Sequence, residues 1–275
     1  MKKLLFMALA ALWLVGCSEQ SEQTEQSDEL TKVSLSFSPY EQSAMARTTR
    51  AASSIAGIVT HLDVWITDGT TTQDIHQTSA DANFGSLSVT LDKTKTYTLY
   101  AIGHKADGAT LSDGVISFTD DKVTHSMFYS ITFSPATTTN LSCLMNRIVA
   151  DFRLDITDDF PAECKSLRFT IANVFDRWNV STGGTHSLDR VSTISYGGTS
   201  SIFNVYAIVT DAQTTHDITV TALDENDQEL QTRTFMNVPL RNGYKTSYKG
   251  TFFIDTPMTM EFMVNDWNEY DEVTF

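Results

Sequence analysis

Residues 146–156, Asn146-Arg147-Ile148-Val149-Ala150-Asp151-Phe152-Arg153-Leu154-Asp155-Ile156, decide the fold class. Ile148, Ala150, Phe152, Leu154 and Ile156 fall on one face of an extended chain, and Asp151, Arg153 and Asp155 fall on the other. Successive side chains of a strand point to opposite faces, so a period of two suits a half-buried strand and not a helix. The spacing predicts a strand over Arg147 to Thr157. The same period runs outward in both directions. Upstream it carries Val33, Leu35 and Phe37 among serines, then Leu62, Val64 and Ile66, then Leu87, Val89 and Leu91, then Tyr97, Leu99 and Ala101. Downstream it carries Leu167, Phe169 and Ile171, then Phe203, Val205, Ala207 and Val209, then Ile218, Val220 and Ala222.

Turn chemistry separates these runs at Asp68-Gly69, Asp107-Gly108, Asp113-Gly114, Gly183-Gly184, Gly197-Gly198 and Asn242-Gly243. The last pair lies between Val238-Pro239-Leu240 and Tyr244 to Phe253, and predicts a type I′ hairpin, because both central residues of that turn need positive φ. Asp224 to Glu229 has the acidity of a calcium loop, but Glu229 stands where such a loop needs glycine, so a solvated hairpin turn is expected. No stretch past the N-terminal leader keeps helical spacing. The chain reads as all-β. A Thr-rich stretch, Pro135 to Asn140, precedes Leu141 to Met145 and the deciding strand, which places a boundary near Asn146. Residues 31–145 and 146–275 are then two tandem β-sandwiches of about seven strands each.

Ahead of them stands an export leader. Lys2 and Lys3 precede an apolar run from Leu4 to Leu14, too short for a stable transmembrane helix, and Leu14-Val15-Gly16-Cys17 reads as a bacterial lipoprotein signal over residues 1–16. The Cys17 thiol would accept the lipid and anchor the protein to a membrane. Residues 17–30 form an acidic Ser/Glu/Gln tether with almost no apolar side chain to bury, so disorder is expected. Acidic residues close behind the lipidated cysteine resemble the surface-export signals of Bacteroidota lipoproteins, which implies the outer face of the outer membrane.

Nineteen basic against thirty-four acidic residues give a formal charge of −15. Phosphate binding needs clustered Lys and Arg, so nucleic acid is not an expected partner. Cys143 and Cys164 would sit near opposite ends of the deciding strand, beyond disulfide reach, and read as small, partly buried thiols. The six histidines are scattered in sequence, and no glycine-framed serine, paired metal ligands or phosphate-cradling loop is present. The expectation is no enzyme activity, no cofactor and no metal. Trp178, beside Asp176, Arg177 and Asn179, fits either a core position or a sugar-stacking surface.

Four features in order resemble the fimbrillins of Bacteroidales type V pili. They are the lipobox with its polar spacer; the strand ending Phe37-Ser38 ahead of Arg47-Thr48-Thr49-Arg50-Ala51; Asn146-Arg147-Ile148-Val149-Ala150 with Asp158-Asp159-Phe160-Pro161 after it; and Val238 to Tyr244 running on to Lys249-Gly250, with Trp267 in a short tail. The resemblance implies two transthyretin-like sandwiches of Greek-key type. It also implies that an Arg-directed protease cuts at Arg47 or Arg50 and removes the strand of Val33, Leu35 and Phe37. Another subunit's C-terminal segment, carrying Val264, Trp267, Tyr270, Val273 and Phe275, then fills the groove. Other fimbrial subunits, a membrane reached through lipid on Cys17, and a host or microbial surface ligand are the expected partners, in the outer membrane or in the fimbrium after cleavage. The other reading is a monomeric outer-membrane surface lipoprotein that binds glycan or host protein. In that case Arg47 and Arg50 solvate an ordinary loop and the tail is an edge strand of its own domain.

Overall fold

The computed structural model describes residues 29–40, 54–198, 200–254 and 263–266. Cys17, the acidic tether, Arg47, Arg50, Trp267, Tyr270, Val273 and Phe275 lie outside the described residues. The chain is all-β. Its strands are β1 (Leu30–Pro39), β2 (His61–Thr67), β3 (Thr72–Thr78), β4 (Ser86–Asp92), β5 (Tyr97–His104), β6 (Ala109–Ser112), β7 (Val115–Phe118), β8 (Met127–Phe133) and β9 (Asn140–Arg147) in the first half. The second half holds β10 (Ala150–Ile156), β11 (Ser166–Asn179), β12 (Gly183–Ser195), β13 (Ile202–Ala207), β14 (Thr214–Leu223), β15 (Glu229–Leu240), β16 (Tyr244–Gly250) and β17 (Met263–Asp266).

The first seven-stranded sheet has the order β3-β2-β5-β8-β9-β1-β4. Strands β8 and β9 meet at only two residue pairs, Met127 with Arg147 and Phe128 with Asn146. The ribbon therefore folds over at that corner into a sandwich. Val33, Leu35, Phe37, Val89 and Leu91 of one layer face Leu62, Val64, Ile66 and Leu99 of the other in one apolar cluster. A second cluster lies between β10, β13 and β16 on one side and β11, β14 and β15 on the other, centred on Phe152, Phe169 and Phe235. Phe152 is fully buried and its ring lies 6.4 Å from Phe169 and 5.8 Å from Phe235.

A third cluster joins the two sandwiches. Trp65, Ile102 and Phe128 pack there with Ile116 and Phe118 of the β6–β7 hairpin and with Ile148, Val149 and Ile208. The hairpin comes from the first half of the chain but extends the sheet of the second, pairing Ile116 with Trp178 and Val115 with Asn179 on β11. Arg190 of β12 braces the same region: its guanidinium donates to the carbonyls of Tyr206 (3.1 Å), Asp121 (3.1 Å) and Val123 (2.9 Å).

Four local expectations change. The strand read from Arg147 begins at Ala150, because Arg147 closes β9 and the buried pair Ile148-Val149 carries the chain from one sandwich to the other. Leu141 to Met145, to which the sequence reading assigned no element, is the body of β9, with Cys143 and Met145 fully buried. Asn242-Gly243 is not a hairpin. Gly243 alone has positive φ, at 78°, and β15 and β16 lie in different sheets, so the pair turns the chain across the sandwich. The two-residue hairpin with both φ positive is Asp113-Gly114, at 50° and 74°, between the paired residues Ser112 and Val115. Gly183-Gly184 is not the turn either: Val180 to Thr182 turns the chain and both glycines pair within β12. The Asp224 segment does form a hairpin turn, its carboxylate accepting from the amides of Asn226 and Gln228 at 2.8 Å each.

Candidate functional site

Strand β1 is amphipathic by alternation, and its three apolar residues are driven inward: Val33 is 0 % exposed, Leu35 2 % and Phe37 5 %. Its place in the sheet gives this burial functional weight. β1 is internal, paired antiparallel with β4 from Leu30–Asp92 to Ser36–Ser86 and parallel with β9 from Ser34–Asn140 to Pro39–Met145. Further bonds secure it along its length: the Ser34 amide donates to Thr139 O (2.9 Å), that of Phe37 to Gly85 O (2.8 Å) and that of Tyr40 to Met145 O (2.8 Å). Burying three such side chains contributes roughly 5–9 kcal/mol on area bookkeeping. Loss of β1 would open two backbone edges at once, one on β4 and one on β9, with an apolar trough between them.

Gly85 sits at the end of this seat with φ of 81°, where a Cβ would come within 3.1 Å of Ile55 and 3.6 Å of the Phe37 carbonyl. Ile55 belongs to a short turn of 3-10 helix, Ile55–Gly57, that caps the same core and is itself fully buried. The seat is therefore closed by residues that follow the arginine segment in sequence.

At the other end of the chain, β17 lies against β16, with Tyr244 opposite Asp266, Thr246 opposite Val264 and Ser247 opposite Met263. Val264 thus belongs to the last strand, among the described residues, of the second sandwich's sheet order β13-β10-β16-β17. Asp158 holds the segment after β16 by accepting from three successive amides, those of Phe252 (2.7 Å), Phe253 (2.7 Å) and Ile254 (2.9 Å).

Trp178 is half-buried at the far end of β11, its ring 5.7 Å from that of Phe128. Two of the polar neighbours weighed with it, Asp176 and Asn179, are committed elsewhere. Asp176 is buried against His186 Nδ1 at 2.8 Å, and the Asn179 side chain accepts from the amides of Ser181 (2.9 Å) and Thr182 (3.0 Å). The structure also gathers histidines that are far apart in sequence. Buried Asp63 meets His76 Nδ1 at 2.7 Å and His104 Nε2 at 2.6 Å, and His61 stacks on His104 with ring centroids 5.5 Å apart. Burial, then the neighbouring His104 and His76, lower the His61 pKa. Both Asp63 oxygens are used by histidines, and among the described residues no group of three or more His, Cys, Asp or Glu is arranged to hold a metal ion. Only register across β2, β3 and β5 brings this cluster together, which is why the sequence alone does not reveal it. No helix among the described residues is long and apolar enough to cross a membrane.

No protein-family model and no curated protein matches the chain. Solved structures do. A candidate cell-adhesion protein of Bacteroides uniformis aligns with 14 % identity and a TM-score of 0.51 over 87 % of this chain and all of that one. Its fold is the fold of this chain. A candidate cell-adhesion protein of Bacteroides ovatus aligns with 14 % identity and a TM-score of 0.47, covering 86 % of this chain and 98 % of that one. A fimbrial assembly protein of Parabacteroides distasonis aligns with 10 % identity and a TM-score of 0.45, covering 86 % and 99 %. The structural neighbours are thus adhesin-type and fimbrial proteins of Bacteroidales, at low identity.

Proposed function

We propose that the protein is a non-enzymatic surface lipoprotein, anchored through Cys17, that serves as a fimbrial subunit or fimbria-associated adhesin and assembles by β-strand complementation. The observation that carries this reading is the internal position of β1 between β9 and β4. The strand ends at Pro39, a few residues ahead of Arg47 and Arg50, so one cut would separate it from the rest of the domain. A replacement strand must then run parallel to β9 and antiparallel to β4, placing alternate apolar side chains where Val33, Leu35 and Phe37 stood. Trp267, Tyr270, Val273 and Phe275, beyond β17, are the residues we assign to that donor. The domain division at Asn146 belongs to the same proposal, with the β6–β7 hairpin reaching across it.

The test is to cleave two unlipidated chains with an Arg-specific protease, the full-length one and a tail-deleted one ending at Asp266, and to incubate each alone. The expected result is heat- and SDS-resistant dimers and ladders from the cleaved full-length chain only. Equal assembly of the two cleaved chains would remove the tail as donor. Absence of any assembly would favour a monomeric surface lipoprotein.

A further inference from the structure

A cleft of about 560 Å³ opens where the two sandwiches meet, with walls from β8 and β9 on one side and from β11 and the β15–β16 crossing on the other. Five aromatic residues, Tyr40, Phe128, Tyr129, Trp178 and Tyr244, line this cleft together with Arg147 and Arg241. Its size and its position between two domains are those of a small-molecule site. Its chemistry is more specific than that.

Arg241 is exposed and forms no ion pair among the described residues, yet its guanidinium lies 4.3 Å from the centroid of the Tyr244 ring. Stacking restricts the side chain without using its hydrogen-bond fork, so the group is held ready for a planar anion. Arg147 enters the cleft from β9, positioned by donation from Nε to His125 Nε2 at 3.2 Å. One carboxylate, Asp211, also lines the cleft, and Asn242 Nδ2 lies 3.4 Å from it. Two guanidiniums therefore outnumber one carboxylate in a chain whose overall charge is −15. Tyr40 is 45 % exposed at the rim and offers an aromatic face with a polar tip.

Flat aromatic faces with polar edges suit the apolar face and hydroxyl rim of a pyranose, and an arginine fork suits a carboxylate. We propose that this cleft binds a sugar carboxylate, the group shared by uronic and sialic acids. The inference rests on the adhesin part of the reading above and names its ligand class; it concerns the uncleaved chain, since a cut at Arg47 or Arg50 would carry Tyr40 away with β1.

The experiment is calorimetric titration of monomeric, unlipidated full-length protein with methyl β-D-glucuronide, with the α-methyl glycoside of N-acetylneuraminic acid, and with neutral methyl β-D-glucoside. Binding of either acid, about tenfold tighter than the glucoside and weakened about tenfold by Arg241→Gln, is expected. Which acid binds distinguishes the two sources. Tyr40→Ala, an exposed rim change, should weaken the acid as well, and thermal unfolding of both variants shows whether their fold is intact. Equal affinity for acid and glucoside, or an acid affinity untouched by Arg241→Gln in a folded variant, overturns the site. No binding of either acid up to about 10 mM also overturns it. Ladder formation in the separate assembly test would leave the fimbrial reading standing in that event.

Discussion

The side-chain amide of Asn242 closes a two-bond ring with the backbone of Val209, accepting from its N–H at 3.0 Å and donating to its carbonyl at 2.9 Å. Both groups are buried, so the pair fixes the β15–β16 crossing to the end of β13. Replacing Asn242 with Ala leaves a buried donor and acceptor unpaired, each costing about 1–3 kcal/mol. The expected loss in urea unfolding is about 2–6 kcal/mol. Asn226→Ala, in the exposed β14–β15 turn, should stay within about 0.5 kcal/mol of the parent.

Within the β1 seat, inward and outward positions should differ sharply. Leu35→Ala removes a side chain only 2 % exposed and should cost about 2–5 kcal/mol. Ser34→Ala, one residue away on the solvent face, should change stability by less than about 0.5 kcal/mol. Equal effects at the two positions would mean that β1 contributes only backbone pairing, and the proposed replacement by an apolar donor would lose its driving force.

The same seat shows how far sequence reaches. Alternation at Val33, Leu35 and Phe37 gives the strand and its buried face, because the period of two is a local property. It does not give the neighbours. β9, which pairs with β1 in parallel, lies about a hundred residues away, and nothing in Leu141 to Met145 announces a parallel partner. The dipeptide Asn242-Gly243 misleads for a related reason. Turn chemistry reports a bend, but whether the flanking strands share a sheet is decided by packing, here by the bond between Asn242 and Val209. The cleft is harder still to read, since Tyr40, Arg147, Trp178 and Arg241 converge only through tertiary structure.

Acid should weaken the junction through His125. The ring is buried, stacked on Tyr206 at 5.7 Å, and accepts a bond from Arg147. Burial first, then Arg147, Lys105 and Lys245, hold its pKa well below the ordinary 6.5. Above pH 6.5 the ring is neutral in both folded and unfolded chains. As pH falls through that value the unfolded chain takes up a proton that the folded chain refuses, so this contribution to stability declines until the folded pKa is reached. Between about pH 7 and pH 5 the wild-type Tm should therefore fall more than that of His125→Gln, which keeps an acceptor and does not titrate. Parallel curves would show that His125 is not the acid-sensitive group.

The two thiols should be silent in the native state. Burial pushes the Cys143 thiol up to about 12 and raises that of Cys164, and both are free. Nucleophilic attack requires thiolate and access. In a Cys17→Ser chain, a thiol reagent at about pH 8 should label neither residue until denaturant is added. Rapid labelling of Cys143 would indicate that the β1–β9 layer opens spontaneously.

Gly184 is required for its lack of a side chain. It lies opposite Trp178 in the β11–β12 pair, where an added Cβ would sit 2.5 Å from Phe175 Cδ2 and 3.1 Å from Ile208 Cγ2. The Phe175 amide donates to the Ile208 carbonyl at 2.9 Å in the bridge that joins the layers, so the main chain is held and only a turn of the Phe175 ring could relieve the contact. Gly184→Ala should therefore destabilise the protein by about 1–3 kcal/mol through overpacking. Gly197→Ala is the control: nothing lies within 4 Å of its added Cβ, and its only general effect is to restrict the unfolded chain. Urea midpoints for the two variants separate these causes. If both lose the same stability, the cost is a general one of replacing glycine in this β-rich chain, and the close approach of Gly184 to Phe175 is not what holds the two layers in register.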